Sequence, residues 1–363
     1  MAELIFKTTN TGISESKNSM IGKWENPLRM IIQDQSDICA KTDNLARTLY
    51  MMDTSKHFGE SFAGQNEFDI FAPVEEGGDA PRDTFGDVYD KFIKHTTFKK
   101  QFRVTEEMME DSLTSPMKRK ARGFVRAYWR TRNLFAHSML IGATAATVTF
   151  GPTGKTKSFD TTTADGLPLF STEHEGGGNR LHYVLGDKGP EFAAVKSVLT
   201  AIASQIRNMK DERGYAMGYT ANQIIISSND PLLEEVVKAV LGSEFGSGTG
   251  GMLTGEMNLH YGNWELVVDP LWQRTVSTSH PMIVTSTAAR DNLAGAVFLT
   301  RKPLTVSAHV DQNSDDYIWN GSARHSAGFV THKWAFMAEL LDKGTTALLD
   351  GGVAGTNSLL LSL

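Results

Sequence analysis

The chain has 363 residues and a mass of 39.9 kDa, too long for one compact core, which predicts two or three folded units. Its 40% of hydrophobic and 9% of aromatic residues can build cores, which argues against wholesale disorder. The 36 basic and 42 acidic side chains leave a net charge of −6, whereas purely electrostatic nucleic-acid binders are usually strongly basic. The single cysteine, Cys39, excludes an intrachain disulfide and a zinc site made of several cysteines.

The sequence predicts neither a secretory leader nor a membrane span. Residues 1–7 lack a charged start followed by an apolar core. The best membrane candidate, residues 134–150, contains His137, Ser138 and three threonines, and it is shorter than the ~20 residues that a spanning helix needs. We therefore expect a soluble protein that is made in a reducing cytoplasm.

The first hundred residues favour extended structure. Residues 1–50 show no sustained period of two or 3.6, which is typical of an arm laid over a surface or of a disordered leader. Apolar and charged residues then alternate over 67–73 and 91–104, on either side of the turn-forming run 75–82. This pattern predicts a long hairpin with limbs of up to roughly 50 Å, at about 3.3 Å per residue. Such a ribbon is marginal alone, so it either lies on another molecule or folds back on its own domain.

One long helix follows, opened by Thr105-Glu106-Glu107 and again by Ser115-Pro116, and it runs to about Ile141. Seven cations and no acid lie between residues 118 and 132, and Lys118, Arg122, Arg126 and Arg130 recur every four residues on one face. This face either meets a polyanion or an acidic partner, or is a solvated face that pairs with acids elsewhere in the fold. The second interpretation is the more common one for such runs.

The second half alternates helices and strands. Amphipathic helices are predicted after Gly189-Pro190 and after Asp230-Pro231, around an apolar strand at 223–227. The five glycines in 242–251 indicate a mobile loop. Further strands are predicted at 264–268, 282–285, 296–300, 304–310 and 327–340. Helices beside a mixed sheet define the α+β class.

Motifs that would indicate an enzyme or a cofactor are weak in this sequence. Residues 151–156 resemble a phosphate-binding loop, but Thr149 stands where that motif needs glycine, and a turn-rich stretch follows instead of a helix. Glu173-His174-Glu175 could contact a metal, although an exposed loop cluster is the more common interpretation. No serine lies in a Gly-x-Ser-x-Gly elbow. We therefore expect no enzymatic activity, no catalytic residues, no cofactor and no metal.

The order of elements, and several segments along it, resemble the major capsid proteins of tailed double-stranded-DNA bacteriophages, which have the Hong Kong 97-type capsid fold. The similar segments are Val104 to Met108 at the helix start, Asp165 to His174 after the helix, Asn222 to Leu233, Trp264 to Leu271, and Asp315 to Asn320. They are collinear over about residues 30 to 340. The resemblance implies a structural shell protein of the virion, assembled in the host cytoplasm.

The resemblance also implies a division of the chain into the segments of that fold. These are an N-arm at 1–55, an E-loop hairpin at 56–104, a P-domain with a spine helix at 105–188, an A-domain at 189–312, P-domain return strands at 313–345, and a C-terminal tail at 346–363. The residues expected to contact a scaffold or a polyanion on the inner face are Lys118, Arg119, Arg122, Arg126 and Arg130. The E-loop residues expected to contact neighbouring subunits are Phe68, Ile70, Glu75, Glu76, Arg82, Lys91 and Lys94.

Some members of the family join neighbouring subunits by a bond between an E-loop lysine and a P-domain asparagine. Asn320 stands at the asparagine position, but Asp87 stands where the lysine is expected, which argues against crosslinking. The implied partners are further copies of the chain in hexamers and pentamers, a separate scaffolding protein, a portal protein, packaged double-stranded DNA and a decoration protein, with no membrane.

Three other functions remain open at this stage. The same fold could form the shell of a cellular, encapsulin-like nanocompartment that holds a cargo enzyme. The basic helix at 116–132 could serve a nucleic-acid-binding protein, and Lys155 could serve a nucleotide hydrolase.

Overall fold

A computed structural model describes residues 4–6, 20–42, 45–65, 69–76, 79, 82, 87–111, 114–175, 177–186, 189–247, 253–273, 278–311 and 316–343. The helices are α1 (Met20–Thr42), α2 (Leu45–Leu49), α3 (Glu106–Glu110), α4 (Thr114–Ile141), α5 (Phe192–Asn208), α6 (Pro231–Gly242) and α7 (Thr287–Asn292). The first eight strands are β1 (Leu4–Phe6), β2 (Met51–Thr54), β3 (Gly59–Gln65), β4 (Asp87–Lys94), β5 (Thr96–Val104), β6 (Thr147–Phe150), β7 (Lys157–Asp160) and β8 (Arg180–Val184). The last eight are β9 (Gln223–Ser227), β10 (Phe245–Ser247), β11 (Leu253–Met257), β12 (Glu265–Asp269), β13 (Ser279–Thr285), β14 (Ala296–Val310), β15 (Tyr317–Phe329) and β16 (Ala335–Leu341).

The chain forms two compact units, which agrees with its length. The first unit comprises residues 1–60, 93–136 and 298–327. The second comprises residues 61–92, 137–297 and 328–363. The mixture of helices and sheets confirms the α+β class.

In the first unit a sheet packs against two helices. Its strand order is β1-β14-β15-β5, with β2 also paired to β14, and β15 runs antiparallel to β5 from Tyr317 opposite Val104 to His325 opposite Thr96. The core joins this sheet to α1 and α4 through buried side chains, which are Leu28, Ile32, Cys39, Val104, Met117, Ala121, Phe124, Val125, Trp129, Leu304, Val306 and Trp319. Full burial of a large apolar side chain stabilises by roughly 1.5–3 kcal/mol.

The sheet lies very close to α4 at one point. A Cβ atom on Gly321 in β15 would meet the ring of Phe124 at 2.3 Å. Only a residue without a side chain allows this approach, so Gly321 sets the distance between strand and helix.

The N-terminal segment differs from the extended arm that we predicted. Residues 20–42 form the 23-residue helix α1, and its buried side chains Leu28, Ile32, Ser36 and Cys39 follow one helical face. The apolar stripe is sparse, and a serine fills one of its positions. The sequence pattern was therefore too weak to predict a helix that the core of the first unit stabilises.

The hairpin is shorter than predicted. It pairs β3 with β4, strands of seven and eight residues, and residues 69–75 have no regular structure. The predicted second limb divides at His95, whose buried ring lies 2.7 Å from the Ser55 hydroxyl and 3.0 Å from the Ser326 hydroxyl. After His95 the chain enters the large sheet as β5. The alternation over 96–104 therefore belongs to a strand half-buried against α4 and not to the hairpin.

The second unit is a mixed sheet covered by helices α5 and α6. The strand order is β12-β9-β13-β16-β8, and all five residues of β9 are buried. Both predicted helices are confirmed, and the Asp230 side chain caps α6 by accepting from the backbone N–H of Leu233 at 3.3 Å. The apolar faces of α5 and α6 pack on the inward face of this sheet.

Several predicted strands have other limits in the structure. The pair 296–300 and 304–310 is one continuous strand, β14. The long strand predicted over 327–340 is interrupted by the turn at 330–334, and β16 then pairs with β13 and β8 in the second unit. The predicted glycine-rich loop lies partly outside the described residues, and its start forms β10. The predicted tail at 346–363 lies entirely outside them.

Two smaller observations concern the phosphate-binding loop and the membrane span that the sequence argued against. Residues 151–156 form the turn between β6 and β7, so a strand follows the glycines where a phosphate-binding loop needs a helix. Within the described part of the chain, no helix has the length and apolarity that crossing a membrane requires.

Candidate assembly surfaces

The segment after β3 exposes apolar side chains that no other described residue covers. Ile70 is 70% exposed, Phe71 is fully exposed and Val74 is 46% exposed. Exposed apolar clusters of this kind mark interaction surfaces in folded proteins. We call residues 69–76 the hairpin loop.

The hairpin loop is attached to the second unit at its first residue. The Tyr215 hydroxyl donates to Asp69 Oδ1 at 3.0 Å, and Arg213 Nη1 lies 3.6 Å from Asp69 Oδ2. The hydrogen bond with Asp69 raises the pKa of Tyr215. The first residue of the hairpin loop is therefore held in place, and the exposed apolar side chains follow it in the chain.

The predicted E-loop residues fall into three groups. Ile70, Glu75, Glu76, Arg82 and Lys94 are exposed, as an inter-subunit contact requires. The Lys94 ammonium lies 4.8 Å from the centre of the Phe58 ring. Phe68 lies outside the described residues.

Lys91 is bound within its own unit and is not free for a neighbour. Its side chain is only 11% exposed, and Nζ donates to Asp160 Oδ2 at 2.6 Å and to the Thr162 hydroxyl at 2.7 Å. Burial raises the pKa of Asp160, but the hydrogen bonds from Lys91 and Thr162 outweigh it and the pKa is lowered. Lys91 therefore anchors β4 to the end of β7, which differs from the contact predicted for it.

The predicted basic side chains share one exposed face of α4. We call this set the basic face, and its members are Lys118, Arg119, Arg122, Arg126 and Arg130. Within the part of the chain that the structure describes, none of the five forms an ion pair. Two other cations of the run are engaged: Lys120 Nζ donates to the Arg103 carbonyl at 3.1 Å, and the Arg132 guanidinium lies over the rings of Trp129 and Phe298. One interpretation of the sequence was a solvated face that pairs with acids elsewhere in the fold. The described residues contain no acidic partner of this kind for the basic face.

The crosslinking position is also placed. Asn320 lies in β15 opposite Gln101, and its side-chain nitrogen is 3.3 Å from His309 Nδ1. Asp87 is the first residue of β4. The sequence has aspartate at this position instead of lysine, and the absence of crosslinking stays a prediction.

A cluster of histidines and a carboxylate was missed at the sequence level. His174 belongs to a run that suggests an exposed loop, yet it is buried, and its ring stacks on His332 at 3.9 Å between ring centres. Asp165 Oδ2 lies 2.6 Å from His174 Nδ1. His332 is 158 residues farther along the chain than His174, so no local spacing could reveal the pair.

The charges of this cluster follow from burial and from its hydrogen bonds. Burial raises the pKa of Asp165, but hydrogen bonds from Thr163, His174 and the Leu167 backbone outweigh it and the pKa is lowered. Burial, and next to it the neighbouring His174, lowers the pKa of His332 to about 3. Asp165 is therefore ionised and His332 is neutral at physiological pH.

Comparison with known proteins assigns the chain to a family. The model of a family described as phage capsid protein matches residues 88–356, nearly three quarters of the 363 residues. The chain belongs to the phage capsid protein family. It is therefore a structural shell protein whose place is the capsid of a virion, as the resemblance implied.

Solved capsids resemble this capsid protein at low sequence identity. The capsid of Myoviridae phage XM1 has a TM-score of 0.49 and 10% identity, covering 82% of this chain and 92% of that chain. The capsid of cyanophage P-SCSP1u has a TM-score of 0.45 and 12% identity, covering 81% and 86%. An empty gene transfer agent particle has a TM-score of 0.44 and 13% identity, covering 82% and 90%. No curated protein matches the sequence.

Proposed function

We propose that this capsid protein is the major head protein of a tailed phage, which assembles as hexamers and pentamers into an icosahedral shell around double-stranded DNA. The observation that carries the proposal is the hairpin loop of a phage capsid family member, whose apolar side chains are not covered by any other residue that the structure describes. Burying a large apolar side chain yields roughly 1.5–3 kcal/mol, so a neighbouring subunit that covers Ile70, Phe71 and Val74 gains stability from them.

The basic face supports a second part of the proposal. Five exposed cations without an ion-pair partner in the described ranges suit the packaged DNA or an acidic scaffolding protein. We also propose that the shell assembles in the host cytoplasm. Its further proposed partners are a separate scaffolding protein, a portal protein and a decoration protein. Interfaces of such obligate assemblies exceed ~2,000 Å².

Electron microscopy of the expressed chain, with and without the products of its neighbouring genes, tests the proposal. We expect closed particles with hexamers and pentamers, and DNA-filled particles when the packaging proteins are present. A chain that stays monomeric under all of these conditions would overturn the proposal.

The same experiment separates the remaining alternatives. Closed particles that hold a cargo protein instead of DNA would identify an encapsulin-like nanocompartment. The basic face favours one further candidate, a nucleic-acid-binding protein, which predicts binding by the unassembled chain with a steep dependence on salt. Nucleotide turnover that is lost when Lys155 is replaced would identify a hydrolase, a result that we do not expect.

A further inference from the structure

Three side chains from two loops of the second unit meet beside a cleft. Asp165 and His174 lie in the loop between β7 and β8, and His332 lies in the turn between β15 and β16. One ligand atom from each side chain lies within 4.8 Å of the others. Asp165 and His332 line a cleft of about 900 Å³, so the cluster is open on one side.

The backbone holds the two loops together around the cluster. The N–H of Ala164 donates to the Val330 carbonyl at 3.0 Å, which joins the segment of Asp165 to the segment of His332. The Asn179 side chain donates to the carbonyls of Leu169 and Ala335, at 2.6 and 3.0 Å. The three side chains are therefore positioned by a fixed frame.

One carboxylate oxygen of Asp165 accepts hydrogen bonds, and the other faces the two histidines. Oδ1 accepts from the Thr163 hydroxyl and from the N–H of Leu167, the latter at 3.1 Å. Oδ2 lies 2.6 Å from Nδ1 of His174 and 3.7 Å from Nδ1 of His332. Outer hydrogen bonds that fix a carboxylate in this manner are typical of metal ligands.

His174 directs its two ring nitrogens at oxygen atoms. Nε2 lies 3.1 Å from the Leu169 carbonyl oxygen, and Nδ1 lies 2.6 Å from Asp165 Oδ2. A carbonyl bound to the far N–H is the usual partner of a metal-ligating histidine.

His332 brings the second imidazole to the cluster. Its side chain is 10% exposed and borders the cleft, and its Nδ1 lies 3.7 Å from Asp165 Oδ2. A metal ion held between this nitrogen and the carboxylate would be bound by both.

Zinc binding needs a turn of the imidazole rings as well as a movement of the carboxylate, because the rings of His174 and His332 stack with 10° between their planes and an imidazole binds a metal in its own ring plane. Ligands about 2.0–2.1 Å from zinc lie roughly 3.3 Å from each other. The present separations of Oδ2 from the two nitrogens, 2.6 and 3.7 Å, lie on either side of this value. The Asp165 side chain is 34% exposed at the edge of the cleft, so a shift of less than ~1 Å is open to it.

The donor set selects the kind of metal. Imidazole nitrogens favour zinc and other late first-row dications over magnesium and calcium, which prefer oxygen. Two histidines and one carboxylate leave the fourth position of a zinc ion open to the cleft.

We propose that Asp165, His174 and His332 bind one divalent zinc-type metal ion per subunit, through Oδ2 and the two Nδ1 atoms. The ion lies between the two histidines and Asp165, and it joins the β7–β8 loop to the β15–β16 turn. Because it binds only the folded chain, it stabilises the subunit by an amount that rises with the logarithm of its free concentration above the Kd. This inference does not depend on what the shell contains or on whether the chain assembles.

The test measures Zn²⁺ binding to the full chain after metal removal, by titration calorimetry and by metal analysis after dialysis. We expect one ion per chain, and at least tenfold weaker binding by His332→Gln, which leaves the pair of His174 and Asp165 in place. The matched control is His57→Gln, which removes an exposed histidine of the first unit and should bind zinc like the wild type.

Co²⁺ provides a readout that a structural defect cannot imitate. The cobalt-loaded wild type should show the visible absorption of a tetrahedral site, and both His332→Gln and Asp165→Asn should lose it while keeping their circular dichroism. A wild-type chain that retains no zinc after dialysis overturns the proposal. Undiminished zinc binding by both variants also overturns it.

Discussion

At the scale of single residues, His325 in β15 is a titratable side chain that packs among aromatic rings. It is buried in the first unit, where its ring stacks on Phe98 at 4.2 Å and on Phe298 at 5.3 Å between ring centres. Neither ring nitrogen has a hydrogen-bond partner among the described residues. Burial, followed by the charge of Arg132, lowers the pKa of His325 to about 3.

This pKa makes stability depend on pH with a definite sign. In the unfolded chain the ring binds a proton near its usual pKa of about 6.5, whereas in the folded chain it stays neutral down to about pH 3. The unfolded state therefore binds more protons between these values, and stability falls as the pH decreases through that window. The loss from this residue is about 2 kcal/mol between pH 7 and pH 5.

Replacing His325 by phenylalanine should remove this loss. Both proteins should lose stability between pH 7 and pH 5. We expect the decrease in the free energy of unfolding to be about 2 kcal/mol smaller for His325→Phe than for the wild type. Urea denaturation at several pH values measures the difference, and comparing slopes cancels any repacking cost that is the same at each pH. The control His57→Gln should follow the wild type, and parallel profiles for His325→Phe and the wild type would contradict the prediction.

At the scale of secondary-structure elements, α4 combines two faces with different roles. One side packs Met117, Ala121, Phe124, Val125 and Trp129 into the core of the first unit. The other side carries the basic face. Since the two sets do not overlap, the charges can be changed without disturbing the core.

Charge reversal on α4 should therefore separate folding from assembly. We expect the triple variant Arg122→Glu, Arg126→Glu, Arg130→Glu to keep its melting temperature, because exposed substitutions usually change stability by less than about 0.5 kcal/mol. The yield of DNA-filled particles should fall at least tenfold, since contacts with phosphates or with an acidic scaffold become repulsive.

The matched control replaces the same three arginines by lysine, which keeps the charge. Particle yield and DNA content, measured by sedimentation and electron microscopy, should remain near the wild-type level. Normal packaging by the glutamate variant would show that the basic face is only a solvated surface.

The two long helices also show how far a sequence pattern can be trusted. The apolar positions of α4 recur every three to four residues, and its start signal Ser115-Pro116 and its end at about Ile141 were predicted to within two residues. The earlier signal at Thr105 opens the separate helix α3 and not the long helix. Among the side chains of α1 that the structure describes, residues 28–42, three apolar residues and a serine are buried on the same kind of face. Its helical form depends on contacts with distant parts of the chain, which no local pattern contains.

At the scale of the whole molecule, each unit has its own core, while the hairpin loop has none. Phe71 makes no difference to either core because its side chain is fully exposed. A polar residue at this position should leave the single chain as stable as before and weaken only its contacts with other copies.

We expect Phe71→Ser to unfold within about 0.5 kcal/mol of the wild type and to form several times fewer closed particles. Phe71→Leu keeps an apolar side chain and should assemble nearly as well as the wild type. Sedimentation of equal concentrations of the three proteins measures the effect. Full assembly by Phe71→Ser would show that the hairpin loop is not an interface.

The sequence by itself determined the α+β class, the long helix α4 with its basic face, the helices and the buried strand of the second unit, and the family resemblance. These features rest on periodicity, caps and collinear motifs, all of which act over a few neighbouring residues. The tertiary structure decided that residues 96–104 join a sheet, that Lys91 is bound to Asp160, and that His174 meets His332. Each of these depends on residues brought together from distant positions, where burial and hydrogen bonding choose between pairings that the local sequence allows equally.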